Sequence, residues 1–97
     1  MGKHFTLLIL LFDMVGGKIE GRRRVQKIVY DLKRKHGLPF PYELQEFWYG
    51  PYSKQLQDAL DILVSAKILE EKIAEAHGGR LKCVYSLTES GKTLANM

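Results

Sequence analysis

The first strong pattern along the chain is an apolar run over residues 5–15. Within it, Phe5, Leu8 and Phe12 recur at helical spacing and predict a helix over about residues 4–14. Most other positions of the run are also apolar, so this helix is hydrophobic nearly all round. Either a second helix of the domain or a second subunit must therefore cover its outer face. We expect core packing, with a homodimer seam as an addition.

Two amphipathic helices are predicted further along the chain. The first covers residues 22–36 and ends at Gly37. Its apolar stripe is formed by Val25, Ile28, Val29 and Leu32. The second covers residues 53–66, after a Gly-Pro break, and the hydroxyl of Ser53 stands where an N-cap accepts a backbone N–H. The apolar stripe of this second helix is formed by Leu56, Ala59, Leu60, Leu63 and Val64.

Strand-like patterns lie on both sides of the 53–66 helix. Residues 42–49 mix aromatic and polar side chains and predict one strand. Residues 68–76 and 81–87 predict a hairpin, because the Gly-Gly pair between them supplies the positive φ angles that a tight reversal needs. A short last helix is expected over about residues 89–95.

The predicted element order is α–α–β–α–β–β–α, which makes an α+β domain. A capped helix that leads straight into a charged hairpin is the arrangement in which a winged helix presents its recognition helix, here residues 53–66, and its wing, here residues 68–87. Ninety-seven residues with 45% hydrophobic content are enough for one domain with its own core. We therefore expect a single winged-helix domain over residues 1–97.

Positive charge is concentrated in one part of the chain. The formal net charge is +4, whereas residues 18–35 hold eight basic residues against Glu20 and Asp31, an excess of six. The basic residues are Lys18, Arg22, Arg23, Arg24, Lys27, Lys33, Arg34 and Lys35. A charge run is most often a solvated helix face. Three arginines at a helix start, however, oppose the helix dipole, so contact with phosphate is the simpler explanation for them.

Other chemistry is sparse in the sequence. Cys83 is the only cysteine, which excludes an internal disulfide and favours a small core residue. The three histidines are scattered, and no nucleophile–base pair, metal-ligand cluster or phosphate-binding glycine loop is recognisable. We therefore expect no enzyme, no metal and no cofactor.

The apolar run over residues 5–15 also has to be weighed as a membrane or export signal. It is interrupted by Asp13, well short of the roughly 20 residues that cross a bilayer. No small-residue cleavage site follows it. These features favour a cytoplasmic protein without a membrane partner.

Four aromatic residues lie close together in the sequence: Tyr42, Trp48, Tyr49 and Tyr52. Such a cluster can stack on nucleic acid bases. Each ring also buries a large apolar area when it packs against a sheet or helix. We expect packing to be the main role of these residues.

Several segments resemble known proteins. Residues 60–69 (Leu-Asp-Ile-Leu-Val-Ser-Ala-Lys-Ile-Leu) and 85–92 (Tyr-Ser-Leu-Thr-Glu-Ser-Gly-Lys) resemble winged helix-turn-helix regulators of the MarR and PadR kind. Residues 21–27 (Gly-Arg-Arg-Arg-Val-Gln-Lys) and 49–53 (Tyr-Gly-Pro-Tyr-Ser) are similar to small archaeal and bacterial winged-helix proteins related to YwgA. Ala66-Lys67 stands where a glycine is usual at the helix exit. The resemblance implies a winged-helix fold and suggests DNA binding.

The leading hypothesis is sequence-specific binding of double-stranded DNA by a homodimeric transcriptional regulator that pairs through the apolar N-terminal helix. The first turn of the recognition helix would reach base edges or phosphates with Ser53, Lys54, Gln55 and Gln57. Phosphates would also be neutralised by Arg22, Arg23, Arg24 and Lys27, and from the wing by Arg80 and Lys82. Asp58 and Asp61 on the recognition helix oppose this role. The alternative is a winged-helix interaction module, such as a partner subunit or antitoxin-like protein, that does not read DNA.

Overall fold

The computed structural model describes residues 3–97, with side chains from residue 5 onward. The described residues form a mixed α+β domain with four α-helices and two antiparallel sheets. In chain order the elements are α1 (Lys3–Met14), β1 (Lys18–Glu20), α2 (Arg22–His36), β2 (Gln45–Phe47), β3 (Gly50–Tyr52), α3 (Lys54–Ser65), β4 (Leu69–Glu75), a 3-10 turn (His77–Gly79), β5 (Leu81–Leu87) and α4 (Glu89–Ala95).

The predicted element order is wrong in two places. A strand, β1, lies between α1 and α2, where none was expected. The segment before α3 is a hairpin of β2 and β3, so the expected strand over residues 42–49 is much shorter and the Gly-Pro break belongs to a strand. Three-residue strands carry almost no hydrophobic period of their own, and they form because a partner strand is available.

The larger sheet has the strand order β1–β5–β4, and both pairings are antiparallel. Tyr85 in the central strand lies opposite Ile19 on one side and Glu71 on the other. The smaller sheet is the β2–β3 hairpin, in which Phe47 lies opposite Gly50 and only two residues, Trp48 and Tyr49, form the turn.

The boundaries of the predicted helices are confirmed to within a residue or two. Helix α3 is capped by Ser53, whose hydroxyl accepts the Leu56 N–H at 3.2 Å. At its exit Lys67 has a φ of 61°, the left-handed conformation that a glycine adopts without cost. Lys67 therefore adopts here the backbone conformation for which a glycine is usual.

One buried cluster joins α1, α2 and α3 to the larger sheet. Leu8 and Phe12 of α1 are fully buried, and the Phe12 ring meets the edge of Tyr85 with 6.3 Å between centroids. Helix α4 packs against α1 and supplies Leu94 to the outer part of the core. The second face of α1 is therefore covered mainly within the domain, and the homodimer seam stays a prediction.

Two smaller expectations concern Cys83 and the membrane. Cys83 is buried, as predicted, and burial raises the pKa of its thiol. Among the helices formed by residues 3–97, none has the length and apolar character that a bilayer crossing requires.

Candidate nucleic-acid interface

Helix α2 begins at the edge of the larger sheet with three arginines. Gly21 precedes it with φ 97° and ψ 130°, a conformation suited to glycine, and its N–H donates to the Cys83 carbonyl at 2.6 Å. No side chain caps this helix, and its first turn holds no acidic residue. The N-terminus of α2 therefore combines the positive end of the helix dipole with arginine side chains, an arrangement that attracts anions.

The first of these arginines is engaged by the sheet. Arg22 Nη2 lies 2.5 Å from Glu71 Oε1 on β4, and the Cys83 thiol donates to the same oxygen at 3.2 Å. This contact raises the pKa of Arg22 and lowers the pKa of the Glu71 carboxyl. Arg22 thus joins α2 to the β4–β5 hairpin, and its charge already has Glu71 as a partner within the domain.

Three other cations of α2 point into solvent: Arg23, Arg24 and Lys27 are exposed. Within the part of the chain that the structure describes, none of the three forms an ion pair. Because Arg23 and Lys27 are four residues apart, they lie on one helix face, with Arg24 a quarter-turn away. We call Arg22, Arg23, Arg24 and Lys27 the arginine surface.

The first turn of α3 contributes much less than predicted. Ser53 is 3% exposed and its hydroxyl is used in capping, so it cannot reach a base. Lys54 forms an ion pair with Asp58 at 3.1 Å, which raises the pKa of the lysine. The Gln55 side chain accepts a hydrogen bond from the Glu43 N–H at 3.1 Å.

Gln57 is also occupied within the domain. Its Nε2 donates to Asp61 Oδ1 and to the Tyr85 hydroxyl, both at 3.1 Å. The two carboxylates that were expected to oppose DNA binding, Asp58 and Asp61, are therefore partners of residues that were predicted to contact DNA. The carboxylates on the exposed face of α3 therefore already have partners on the same helix.

The two predicted wing cations behave differently. Lys82 forms an ion pair with Glu20 of β1 at 2.7 Å, and its side chain is only 34% exposed. Arg80 is exposed next to the 3-10 turn and makes no ion pair with any residue between 3 and 97 that the structure describes. Of these two cations, only Arg80 has no acidic partner among the described residues.

Gln26 is a structural residue of the site that the sequence reasoning did not single out. It is 2% exposed, donates through Nε2 to the Ser53 carbonyl at 3.1 Å and accepts the Ser53 N–H at 2.8 Å. It thereby fixes the start of α3 against α2. Its place beside Val25, at the edge of the apolar stripe of α2, is the one sequence signal that points to its burial.

A cleft of about 450 Å³ lies between α2, α3 and the β2–β3 hairpin. Its walls include Arg22 and Arg23, the α3 residues Gln57 and Asp61, and Tyr49. A second groove, toward the wing, is lined by the same two arginines together with the exposed residues Ile73 and Leu81 and with Lys82. Arg22 and Arg23 therefore lie at the centre of a surface that has a hairpin on each side.

The aromatic residues divide into two groups. Tyr42 is 3% exposed, as packing predicts, and burial raises its pKa to about 12. Trp48, in contrast, is 95% exposed at the hairpin turn, so the prediction that the cluster serves packing is wrong for this residue. The Arg23 guanidinium lies 5.3 Å from the centroid of the neighbouring Tyr49 ring, a cation–π contact.

These features define a small α+β domain with a cationic surface between two hairpins. The chain is similar to the uncharacterized protein YwgA of Bacillus subtilis (strain 168), with 38% identity over 90 residues. The match covers 92% of this chain and 51% of YwgA, so the chain spans about half the length of that relative. This supports the relationship to YwgA that the motifs at residues 21–27 and 49–53 indicated. No family model and no solved structure matches the chain.

The Arg22–Glu71 pair makes a pH-dependent contribution that can be measured. Because the folded-state pKa of Glu71 is lowered, its stabilising effect is present above the unfolded-state pKa and is lost as pH falls through the folded-state pKa. We expect Glu71→Gln to lower the free energy of unfolding by about 0.5–1 kcal/mol at neutral pH, a surface-pair value, because the Arg22 side chain is 55% exposed. In acid the variant and the wild type should converge.

Urea unfolding at neutral and acidic pH measures this difference. Glu75→Gln, at an exposed position of β4 that forms no ion pair with any described residue, is the matched control and should change stability little at either pH. A Glu71→Gln deficit that stays constant into acid would contradict the ion pair.

Proposed function

We propose that the chain is a winged-helix domain that binds double-stranded DNA, as a homodimeric transcriptional regulator. The observation that carries the proposal is the set of cations at the start of α2, where Arg23, Arg24 and Lys27 are exposed and unpaired among the described residues. Arginines that weaken a helix start and have no acidic partner among the described residues are explained by an external anion.

The topology supports the winged-helix part of the proposal. Helix α3 leads through Lys67 directly into the β4–β5 hairpin, as a recognition helix leads into a wing. The linker between α2 and α3 is longer than the three or four residues of a simple helix-turn-helix, and it carries the β2–β3 hairpin. DNA docking must therefore accommodate this hairpin beside the recognition helix.

In this proposal the two helices have different roles. The arginine surface supplies affinity through phosphate contacts, and Arg80 adds one contact from the wing. Helix α3 orients the domain, since its side chains at positions 53–57 are already engaged and Gln26 fixes its N-terminus. For pairing of two copies, α1 offers Leu10, which is 37% exposed, and Met14, which is 84% exposed.

A protein-interaction module is the second candidate. Ile62, Ile73 and Leu81 are large apolar side chains that are 53%, 61% and 75% exposed, and the charges of α3 are largely paired. Such a surface fits a protein partner better than it fits a phosphate backbone. A protein-interaction module does not, however, explain why Arg23, Arg24 and Lys27 are exposed at the start of α2.

Titration of fluorescently labelled mixed-sequence duplex DNA with the protein at low salt distinguishes the two functions. The DNA-binding proposal predicts a saturable rise in anisotropy that added salt reverses. No complex at low salt would eliminate DNA binding and leave the interaction module.

A further inference from the structure

The tip of the β2–β3 hairpin presents aromatic side chains to solvent. Phe47 is 44% exposed, Trp48 95% and Tyr49 39%. Aromatic rings usually bury large areas, and a contiguous exposed apolar cluster marks an interaction site. The Trp48 indole contributes almost nothing to the core, so the fold does not explain its presence.

The aromatic tip has a defined shape. The Phe47 and Tyr49 rings are stacked, with 5.5 Å between centroids and an angle of 3° between planes. Trp48 stands perpendicular to Tyr49, at 88° and 5.3 Å. Because these rings pack on one another around a two-residue turn, the indole projects from a preformed platform.

The hairpin is also tied to α2, which fixes the tip relative to the cations. Glu46 of β2 accepts a hydrogen bond from the Tyr30 hydroxyl at 2.7 Å and lies 3.5 Å from Arg34 Nη1. At the tip itself, the Arg23 guanidinium lies 5.3 Å from the Tyr49 centroid. Arg23 and Arg22 share the 450 Å³ cleft with Tyr49.

The charge next to the aromatic tip identifies the kind of partner. An apolar protein surface would desolvate Arg23 without compensating it. A nucleotide provides both a phosphate for the arginine and a flat face for the indole, the combination that single-stranded nucleic acid sites use. The one carboxylate that lines the cleft, Asp61, is held by Gln57.

We propose that Trp48 stacks on a nucleobase that has left the duplex stack, while Arg23 binds the phosphate beside it. This inference rests on the proposed DNA binding and specifies its substrate: a duplex with an adjoining unpaired nucleotide. In an intact duplex both faces of every internal base are covered by neighbours, so an indole on a hairpin tip needs an unpaired base.

The test uses three ligands of matched sequence: a blunt mixed-sequence duplex, the same duplex with a single-stranded tail, and the tailed duplex with abasic sites in the tail. Trp48 is the only tryptophan of the chain, so its intrinsic fluorescence reports the contact directly. We expect the tailed duplex to quench this fluorescence in a saturable way, and the abasic tail and heparin, a polyanion without bases, to leave it unchanged.

Trp48→Ala is expected to weaken binding of the tailed duplex about 5- to 150-fold, the range for loss of one base–aromatic stack, as measured by anisotropy of labelled DNA. Its affinity for the blunt and abasic ligands should equal that of the wild type, and Trp48→Phe should retain most of the tail affinity. Because the indole is 95% exposed, the substitution should leave the fold intact.

The outcomes separate this inference from the proposed function. Equal affinity of Trp48→Ala and wild type for the tailed duplex, or equal quenching by heparin, would overturn the stacking role while duplex binding stands. Absence of binding to all three DNA ligands would overturn both.

Discussion

Replacing Arg23 and Arg24 together with glutamine is expected to weaken binding to mixed duplex DNA about 60-fold at about 0.1 M salt. Each phosphate contact contributes ~0.9 to the slope of log K against log salt. With equal binding of variant and wild type at about 1 M salt as the reference, two lost contacts therefore remove about 1.8 log units at a tenfold lower salt concentration. Arg22 is left in place, because its removal would also break the pair with Glu71. Anisotropy of labelled duplex measures the change.

A control for total charge is available outside the arginine surface. Lys67→Asn with Lys92→Gln removes the same two charges, taking the net charge from +4 to +2 as the arginine pair does. Both lysines are exposed, and asparagine tolerates the left-handed conformation at position 67. This control should bind DNA nearly as the wild type does. If the two double variants lose affinity equally, attraction comes from net charge and α2 is not an interface.

The second large effect concerns Gln26. Gln26→Leu is expected to lower the free energy of unfolding by about 1–3 kcal/mol, because the buried Ser53 N–H loses its acceptor. The Ser53 carbonyl still accepts the Gln57 N–H at 3.1 Å in this variant. The expected loss of stability therefore corresponds to one unsatisfied backbone donor, the Ser53 N–H. Urea unfolding provides the value.

Gln45→Leu is the matched control for this substitution, since Gln45 is an exposed glutamine on β2. It should change the free energy of unfolding by a few tenths of a kcal/mol at most, as is usual for exposed positions. Wild-type stability in Gln26→Leu would mean that the start of α3 is held against α2 by something other than this side chain.

The parts of the fold that sequence could predict are those with a local cause. Helix α2 has a full apolar stripe and ends at Gly37, whose φ of 63° stops the helix, and both boundaries follow from the sequence. Strand β1 has no such local cause. Its central residue Ile19 is paired with Tyr85, which is distant in sequence, so only the folded sheet makes residues 18–20 a strand.

The same distinction applies to the candidate site. Composition located the positive charge in α2, but it could not show which cations are compensated. Arg22 and Lys82 are paired with Glu71 and Glu20, contacts between residues far apart in sequence. Arg22 and Arg24 belong to the same arginine run, and only the structure shows that Arg22 is paired with Glu71 whereas Arg24 forms no ion pair with a described residue.

The exposure of Trp48 could not be predicted from the sequence for a related reason. Aromatic residues around positions 42–52 were expected to pack, and Tyr42 does. Trp48 lies in a two-residue turn at the tip of the hairpin, between Phe47 of β2 and Tyr49 of the turn, and its indole packs against the Tyr49 ring rather than in the core. Turn position, rather than residue type, determines its exposure.

The most direct test of DNA binding through the arginine surface is the salt dependence of duplex affinity for the unmodified protein. Four cations that form no ion pair within the described residues, Arg23, Arg24, Lys27 and Arg80, predict a linear fall of log K with log salt and a slope of about −3.6 for each bound subunit, from ~0.9 for each phosphate. A slope near zero, or no complex at the lowest salt, would contradict the account.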